Sequence, residues 1–77
     1  MLHISQTKNF ICLAKVEQQA TISIYVRKLK NGIINILYVG GGIVHEMQSA
    51  SLLAPRMVSS LLGVDYQEVE KALAGVA

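Results

Sequence analysis

The dipeptide Asn31-Gly32, set between two strand patterns, constrains the fold of this chain more than any other feature. Both central residues of a type I′ turn need positive φ, which Asn and Gly tolerate, so the dipeptide predicts a β-hairpin. Residues 20–30 alternate apolar and polar side chains and are rich in β-branched residues, as strands are. Residues 33–39 supply the second strand. A two-residue loop here predicts that Tyr25 lies opposite Tyr38.

This register predicts a sheet with apolar side chains on both faces, because residues 33–39 contain one polar side chain, that of Asn35. One face is expected to form the core, with Ile22, Ile24, Val26, Leu37 and Val39. The other face would carry the partner interface, which consists of Tyr25, Arg27, Leu29, Ile34, Ile36 and Tyr38. Two alternatives stay open for this face: plain cross-strand packing, and stacking of single-stranded nucleic acid on its tyrosines.

The rest of the chain predicts one further strand and a helical tail. Residues 9–17 form an apolar first strand, and Gln18-Gln19 a weak turn. Gly40-Gly41-Gly42 ends the sheet, and residues 43–53 have the spacing of a helix. The prediction is therefore an α+β fold: a three-stranded antiparallel meander followed by two or three short C-terminal helices packed on one sheet face. Residues 1–77 make a single domain, with the meander at 8–39 and the helical tail at 43–75.

The last helices have clear boundary signals. Pro55 suits the first turn of a helix that continues through residues 56–62, since its missing N–H has no helical partner there. Gly63 is a good C-terminal stop. Asp65, with Glu68 three positions later, predicts the N-cap of a helix that runs to about residue 74 and buries Val69, Ala72 and Leu73.

Residues 58–75 are similar to the DNA-binding helix-turn-helix of small phage repressors. The similarity lies in Ser-Leu-Leu-Gly-Val around Gly63, in Ser59 four positions before that glycine, and in Val69 six positions after it. It covers eighteen residues and implies that the last helix would enter the major groove. The sequence departs from this role because that helix carries Glu68 and Glu70 with Lys71 as its one cation, and carboxylates repel phosphates.

Charge is unevenly distributed along the chain, with a net value of +2. Residues 1–38 carry five Lys or Arg residues and one Glu, whereas residues 39–77 carry two against four acidic residues. The basic hairpin and the helical corner therefore give the alternative function, a nucleic-acid-binding regulator, with candidate contacts at Arg27, Lys28, Lys30 and Lys71.

Nothing in the sequence predicts catalysis. Cys12 is the single cysteine, inside an apolar run, and His3 and His45 do not have metal-ligand spacing. The strand, glycine triplet and predicted helix form a setting in which backbone amides can bind phosphate, with a flexible hinge or a sharp strand-to-helix reversal as the alternative. The dinucleotide fingerprint is incomplete because His45 replaces its third glycine. We therefore expect no enzyme, no catalytic residues, no cofactor and no metal.

The sequence-based hypothesis is a small interaction or regulatory module of a bacterial or phage accessory or inhibitor type. Hydrophobic residues make up 52% of the chain and charged residues 16%, which leaves much apolar surface for a partner to cover. The expected partner is a second copy or a larger protein, with no membrane. The start of the chain has no signal-peptide pattern, so the expected location is cytoplasmic.

Overall fold

In the described part of the chain, the fold consists of five antiparallel strands in sequence order and two helices. The computed structural model describes residues 2–17 and 20–74, so the predicted turn at Gln18-Gln19 lies outside the described residues. The elements are β1 (Leu2–Gln6), β2 (Ile11–Glu17), β3 (Ala20–Lys28), β4 (Ile33–Gly40), β5 (Ile43–Ala50), α1 (Ala54–Leu62) and α2 (Tyr66–Leu73). The strands form one sheet with the order β1-β2-β3-β4-β5.

The predicted three-stranded meander is wrong, because the sheet has two more strands. β1 pairs with β2 at the N-terminal edge, and β5 pairs with β4 along its whole length. The predicted helix over residues 43–53 is therefore a strand up to Ala50, and the helical part of the tail begins at Ala54. Strands followed by helices still make this an α+β chain.

The glycine triplet is a hairpin turn and not the start of a helix. Gly40 pairs with Ile43, and the two residues between them, Gly41 and Gly42, have φ of 59° and 77°. Positive φ at both central positions is the requirement of the two-residue hairpin turns that match strand twist. Because a strand follows, no helix N-terminus lies behind these glycines, and the setting that would favour phosphate is missing from this part of the described chain.

The Asn31-Gly32 hairpin exists, but its register differs by one residue from the prediction. Asn31 and Gly32 have φ of 63° and 71°, and the N–H of Ile33 donates to the carbonyl of Lys30 at 3.3 Å. The N–H of Leu29 also donates to the carbonyl of Ile33, at 2.8 Å. Leu29 and Lys30 thus both lie opposite Ile33, which is the arrangement of a β-bulge.

This extra residue exchanges the two faces of β4 relative to β3. Tyr25 lies opposite Leu37, and Tyr38 lies opposite Ile24, so the two tyrosines do not face one another. A shift of one residue moves every side chain of a strand to the other side of the sheet. The predicted pairing of Tyr25 with Tyr38 is wrong for this reason.

The core lies between one face of the sheet and the two helices. Its buried sheet residues are Ile11, Leu13, Ile24, Val26, Ile34 and Ile36. The helices bury residues four apart, Val58 with Leu62 and Val69 with Leu73, because such spacing places side chains on one side of a helix. The other face of the sheet is not covered by either helix.

The predicted boundaries of the last two helices are confirmed. Pro55 lies in the first turn of α1, and Gly63 ends the helix with φ of 66°. The backbone N–H of Gln67 donates to Asp65 Oδ1 at 2.9 Å, so Asp65 is the N-cap of α2. The Gly63 and Asp65 signals are local, and they fix the short connection after which α2 packs against the core.

Two isoleucines in β4 test which face of this strand is buried. Ile36 is fully buried, whereas Ile33 is 38% exposed on the opposite face. We expect Ile36→Ala to lower the free energy of unfolding by about 2–5 kcal/mol, because it leaves a cavity, and Ile33→Ala by about 1 kcal/mol or less. Urea unfolding followed by circular dichroism measures both. Equal losses from the two variants would contradict the register.

Candidate functional site

The sheet face turned away from the helices is the candidate site, and we call it the open face. Strand register and alternation place the following residues on it: His3, Ser5, Cys12, Ala14, Val16, Thr21, Ser23, Tyr25, Arg27, Ile33, Asn35, Leu37, Val39, Val44, Glu46, Gln48 and Ala50. Nine of these seventeen are apolar or aromatic. An exposed sheet face that serves only as a solvated surface is normally polar, so this composition makes the open face the candidate contact surface.

The apolar side chains of the open face form a band across the middle strands. One row of neighbours runs from Cys12 through Tyr25 to Leu37, and the next runs from Ala14 through the polar Ser23 to Val39 and Val44. Most of these side chains are half-buried by their neighbours in the sheet, and Val44 is 69% exposed. Adjacent rows of this kind give an apolar patch that Ser23 interrupts on β3.

An aromatic pair forms one wall of a shallow depression on the open face. The rings of Phe10 and Tyr25 meet edge to face, with centroids 5.5 Å apart and planes at 79°. Phe10 is held by a turn in which its N–H donates to Thr7 Oγ1 at 3.2 Å. The depression is lined by Phe10, Tyr25, Arg27, Asn35, Leu37 and Glu46. Aromatic rings beside one Arg are the residue types enriched in protein interfaces.

Two of the polar side chains that line this depression, Asn35 and Glu46, are joined by a hydrogen bond. Asn35 Nδ2 donates to Glu46 Oε2 at 3.4 Å, and the side chain of Asn35 is 8% exposed. This bond is needed because a buried amide without a partner is destabilising. It also fixes the carboxylate of Glu46 beside β4.

The six residues predicted as a partner interface do not share one surface. Tyr25 and Arg27 lie on the open face, as predicted. Ile34 and Ile36 are 1% and 0% exposed in the core, Tyr38 packs against that core, and Leu29 is half-buried at the bulge. Their separation follows from the one-residue shift in register. Sequence reasoning missed Phe10, and it assigned Leu37 and Val39 to the core.

The cations of the predicted nucleic-acid contacts also fall into two places. Arg27, Lys28 and Lys30 lie near the β3–β4 turn, where Lys8 from the β1–β2 turn joins Lys28 around a second depression. The antiparallel order places these two turns at the same end of the sheet. Lys71 lies apart from them on α2, which packs against the core face of the sheet. The end of the sheet that carries Lys8, Arg27, Lys28 and Lys30 is called the basic end below.

The helical corner has the local contacts of a rigid connection. Ser59 Oγ donates to the carbonyl of Val64 at 2.8 Å, across the left-handed Gly63. Tyr66 Oη donates to Glu70 Oε2 at 3.0 Å, and the Arg56 guanidinium lies 5.9 Å from the centroid of the Tyr66 ring. The side of α2 that points away from the core exposes Gln67, Glu68, Glu70 and Lys71. Reading of DNA by this helix stays a prediction.

The fold does not bring Cys12 and His45 together. Cys12 is a free, half-buried thiol on the open face, whereas His45 lies on the opposite side of the sheet in β5. Within residues 2–17 and 20–74, no group of three or more His, Cys, Asp or Glu side chains could hold a metal ion. Neither α1 nor α2, the helices in the described part of the chain, is long and apolar enough to span a membrane.

Comparison of this chain with protein-family models, with curated proteins and with solved structures gives no match.

The aromatic pair can be tested by a double-mutant cycle. We expect Phe10→Ala and Tyr25→Ala to be coupled by about 0.5–1.5 kcal/mol in the free energy of unfolding, because each ring loses its edge-to-face neighbour. Urea unfolding of the two single variants and the double variant gives the coupling. The matched control is a cycle of Phe10→Ala with Tyr38→Ala, on opposite faces of the sheet, for which additive effects are expected. Additivity in the first cycle would exclude the ring contact.

Proposed function

We propose that this chain is a small protein-interaction module that binds its partner through the open face of its sheet. The observation that supports this most is the uncovered apolar band around Leu37 and Val39, which both helices leave on the far side of the sheet. Removing apolar surface from water favours association by roughly 25 cal/mol per Å². Its expected lack of enzymatic activity stays a prediction, as does its cytoplasmic location.

The arrangement of side chains on the open face supports a protein partner in particular. Protein interfaces have an apolar centre with aromatic residues and Arg, and a polar rim that remains accessible to water. On this face Leu37 and Tyr25 occupy the centre, and Arg27, Glu46 and Gln48 are exposed around them. The pairing of an apolar centre with a charged rim gives such a surface both affinity and orientation.

A photo-crosslinking amino acid placed at Val44 tests this proposal inside cells. Val44 lies at the border of the open face and is 69% exposed, so a bulky replacement there does not disturb the core. We expect irradiation to give one or a few adducts of discrete mass. Adding Leu37→Glu should reduce their yield at least tenfold, because it places a charge in the centre of the apolar band.

Leu52 provides the control for this experiment. It is 88% exposed, in the connection between β5 and α1, and does not belong to the open face. The crosslinker at Leu52 should give no matching adducts, and Leu52→Glu should leave the adducts from position 44 unchanged. Adducts that form equally from both positions, or that survive Leu37→Glu, would rule out the open face as the binding surface.

A second candidate function, binding of single-stranded nucleic acid, is favoured by the basic end of the sheet. Lys8, Lys28 and Lys30 lie there together with Arg27, and the Phe10–Tyr25 pair lies next to Arg27 in the adjoining depression. Cations that track phosphates beside aromatic rings that stack bases are the usual elements of single-strand binding.

Fluorescence anisotropy of a labelled oligothymidine over a salt series tests the second candidate. The slope of log affinity against log salt should become less steep by about 0.7 in each of Lys8→Gln, Lys28→Gln and Lys30→Gln, because one phosphate contact on a single strand contributes about that much. Lys71→Gln removes the same charge from α2 and should have no effect. Absence of binding at 50 mM salt, or an equal loss with Lys71→Gln, would exclude the basic end.

A further inference from the structure

Two opposite charges lie diagonally across the depression on the open face. Arg27 is on β3 and Glu46 is on β5, with β4 between them. Arg27 is opposite Asn35, and Glu46 is opposite Leu37, so the two charged residues are two strands and two residues apart. With a strand spacing of about 4.8 Å and a rise of about 3.4 Å per residue, their Cα atoms are separated by about 12 Å.

Arg27 and Glu46 do not form an ion pair with each other in the described part of the chain. The carboxylate of Glu46 accepts the hydrogen bond from Asn35, and no ion pair to Arg27 exists among residues 2–17 and 20–74. Both side chains are exposed. Among the described side chains of the open face, Arg27 and Glu46 carry the formal charges. Glu46 ends the row of Cys12, Tyr25 and Leu37, and Arg27 lies in the next row beside Asn35, so the surface has one cation and one anion at separate points along its apolar band.

A surface with this charge arrangement is complementary to itself. A two-fold axis lying in the plane of the interface, and crossing β4 between Asn35 and Leu37, exchanges the positions of Arg27 and Glu46. Under that symmetry each Arg27 lies over the Glu46 of the other copy, and the two Leu37 side chains meet close to the axis. Two-fold interfaces are isologous in this way, with each contact made twice.

We propose that the partner on the open face is a second copy of this chain, oriented by reciprocal ion pairs between Arg27 and Glu46. The proposal rests on the protein-interaction function proposed above and names the partner of that surface. Two sheets then pack face to face about 10 Å apart, with the helices of each copy on the outside. The zero net charge of the open face removes the repulsion that two copies of a singly charged surface would have.

The size of the open face agrees with this partner. Five strands at a spacing of about 4.8 Å and a length of about 26 Å for eight residues give a face of roughly 600 Å² in projection. A standard specific interface buries about 800 Å² of accessible surface on each partner, and accessible area exceeds projected area on a side-chain surface. A second copy of the sheet therefore has enough area to cover most of the open face, including Cys12, which lies in the row of Tyr25 and Leu37.

Charge reversal with mixing tests the proposal on the 77-residue chain by sedimentation equilibrium. Arg27→Glu alone places two carboxylates at each contact, and Glu46→Arg alone places two cations there. We expect each variant to raise the dimer dissociation constant by about 30-fold or more. An equimolar mixture of the two variants should form a heterodimer, and the double variant should recover the homodimer, because both restore opposite charges.

The matched controls are Lys71→Glu and Glu70→Arg on α2, which make the same charge changes on the helical side and should leave the dissociation constant unchanged. The thiol of Cys12 gives an independent measurement. Its rate of reaction with an aromatic disulfide should fall as the concentration of wild-type chain rises, and should be independent of concentration for Arg27→Glu. Circular dichroism verifies that the variants keep their secondary structure.

The outcomes separate this inference from the function on which it rests. A monomeric wild type that crosslinks from position 44 to a heavier protein overturns the second copy as partner while the interaction module stands. A dimer that resists both reversals, or whose variants do not recover on mixing, overturns the reciprocal ion pairs. A monomer with no crosslinks overturns both proposals.

Discussion

The register between β3 and β4 is the constraint on which the rest of this structure depends. The bulge at Leu29 and Lys30 decides which side chains of β4 meet the helices and which stay on the open face. In the observed register Ile34 and Ile36 enter the core, and Asn35 takes the other face, where Glu46 accepts its hydrogen bond. The alternative register would place the amide of Asn35 against apolar helices, where an unpaired amide is destabilising by about 1–3 kcal/mol.

A sheet covered from one side explains why the interaction is proposed at the open face. Both helices follow β5 and pack through Val58, Leu62, Val69 and Leu73 on the same side, so no layer among residues 2–17 and 20–74 covers the opposite side. The middle strands β3 and β4 are nevertheless apolar on both faces. Their second face keeps Tyr25, Leu37 and Val39 only partly covered, and this is the property that a partner would use.

Local signals made part of the fold predictable. The bends at Asn31-Gly32 and Gly63, the position of Pro55 and the Asp65 cap each depend on the φ preference or hydrogen bond of one or two residues. The fifth strand was missed because residues 43–53 place Val44, Met47 and Ser51 at helical spacing, although Gly41-Gly42 is also a hairpin signal. β5 is a strand because its backbone hydrogen bonds are made with β4, and a local pattern does not contain that partner.

By itself the sequence determined the bends at Asn31-Gly32 and Gly63, where the last two helices begin and end, and that the chain has more apolar surface than a small tail can cover. The tertiary structure alone decided which residues form that surface: Leu37 and Val39 joined Tyr25 and Arg27, while Ile34 and Ile36 went into the core. The physical reason is that side chains alternate along a strand, so a single bulged residue exchanges the two faces. Whether a bulge forms depends on the free energy of the whole core, including the fit of helices that come twenty or more residues later in the chain.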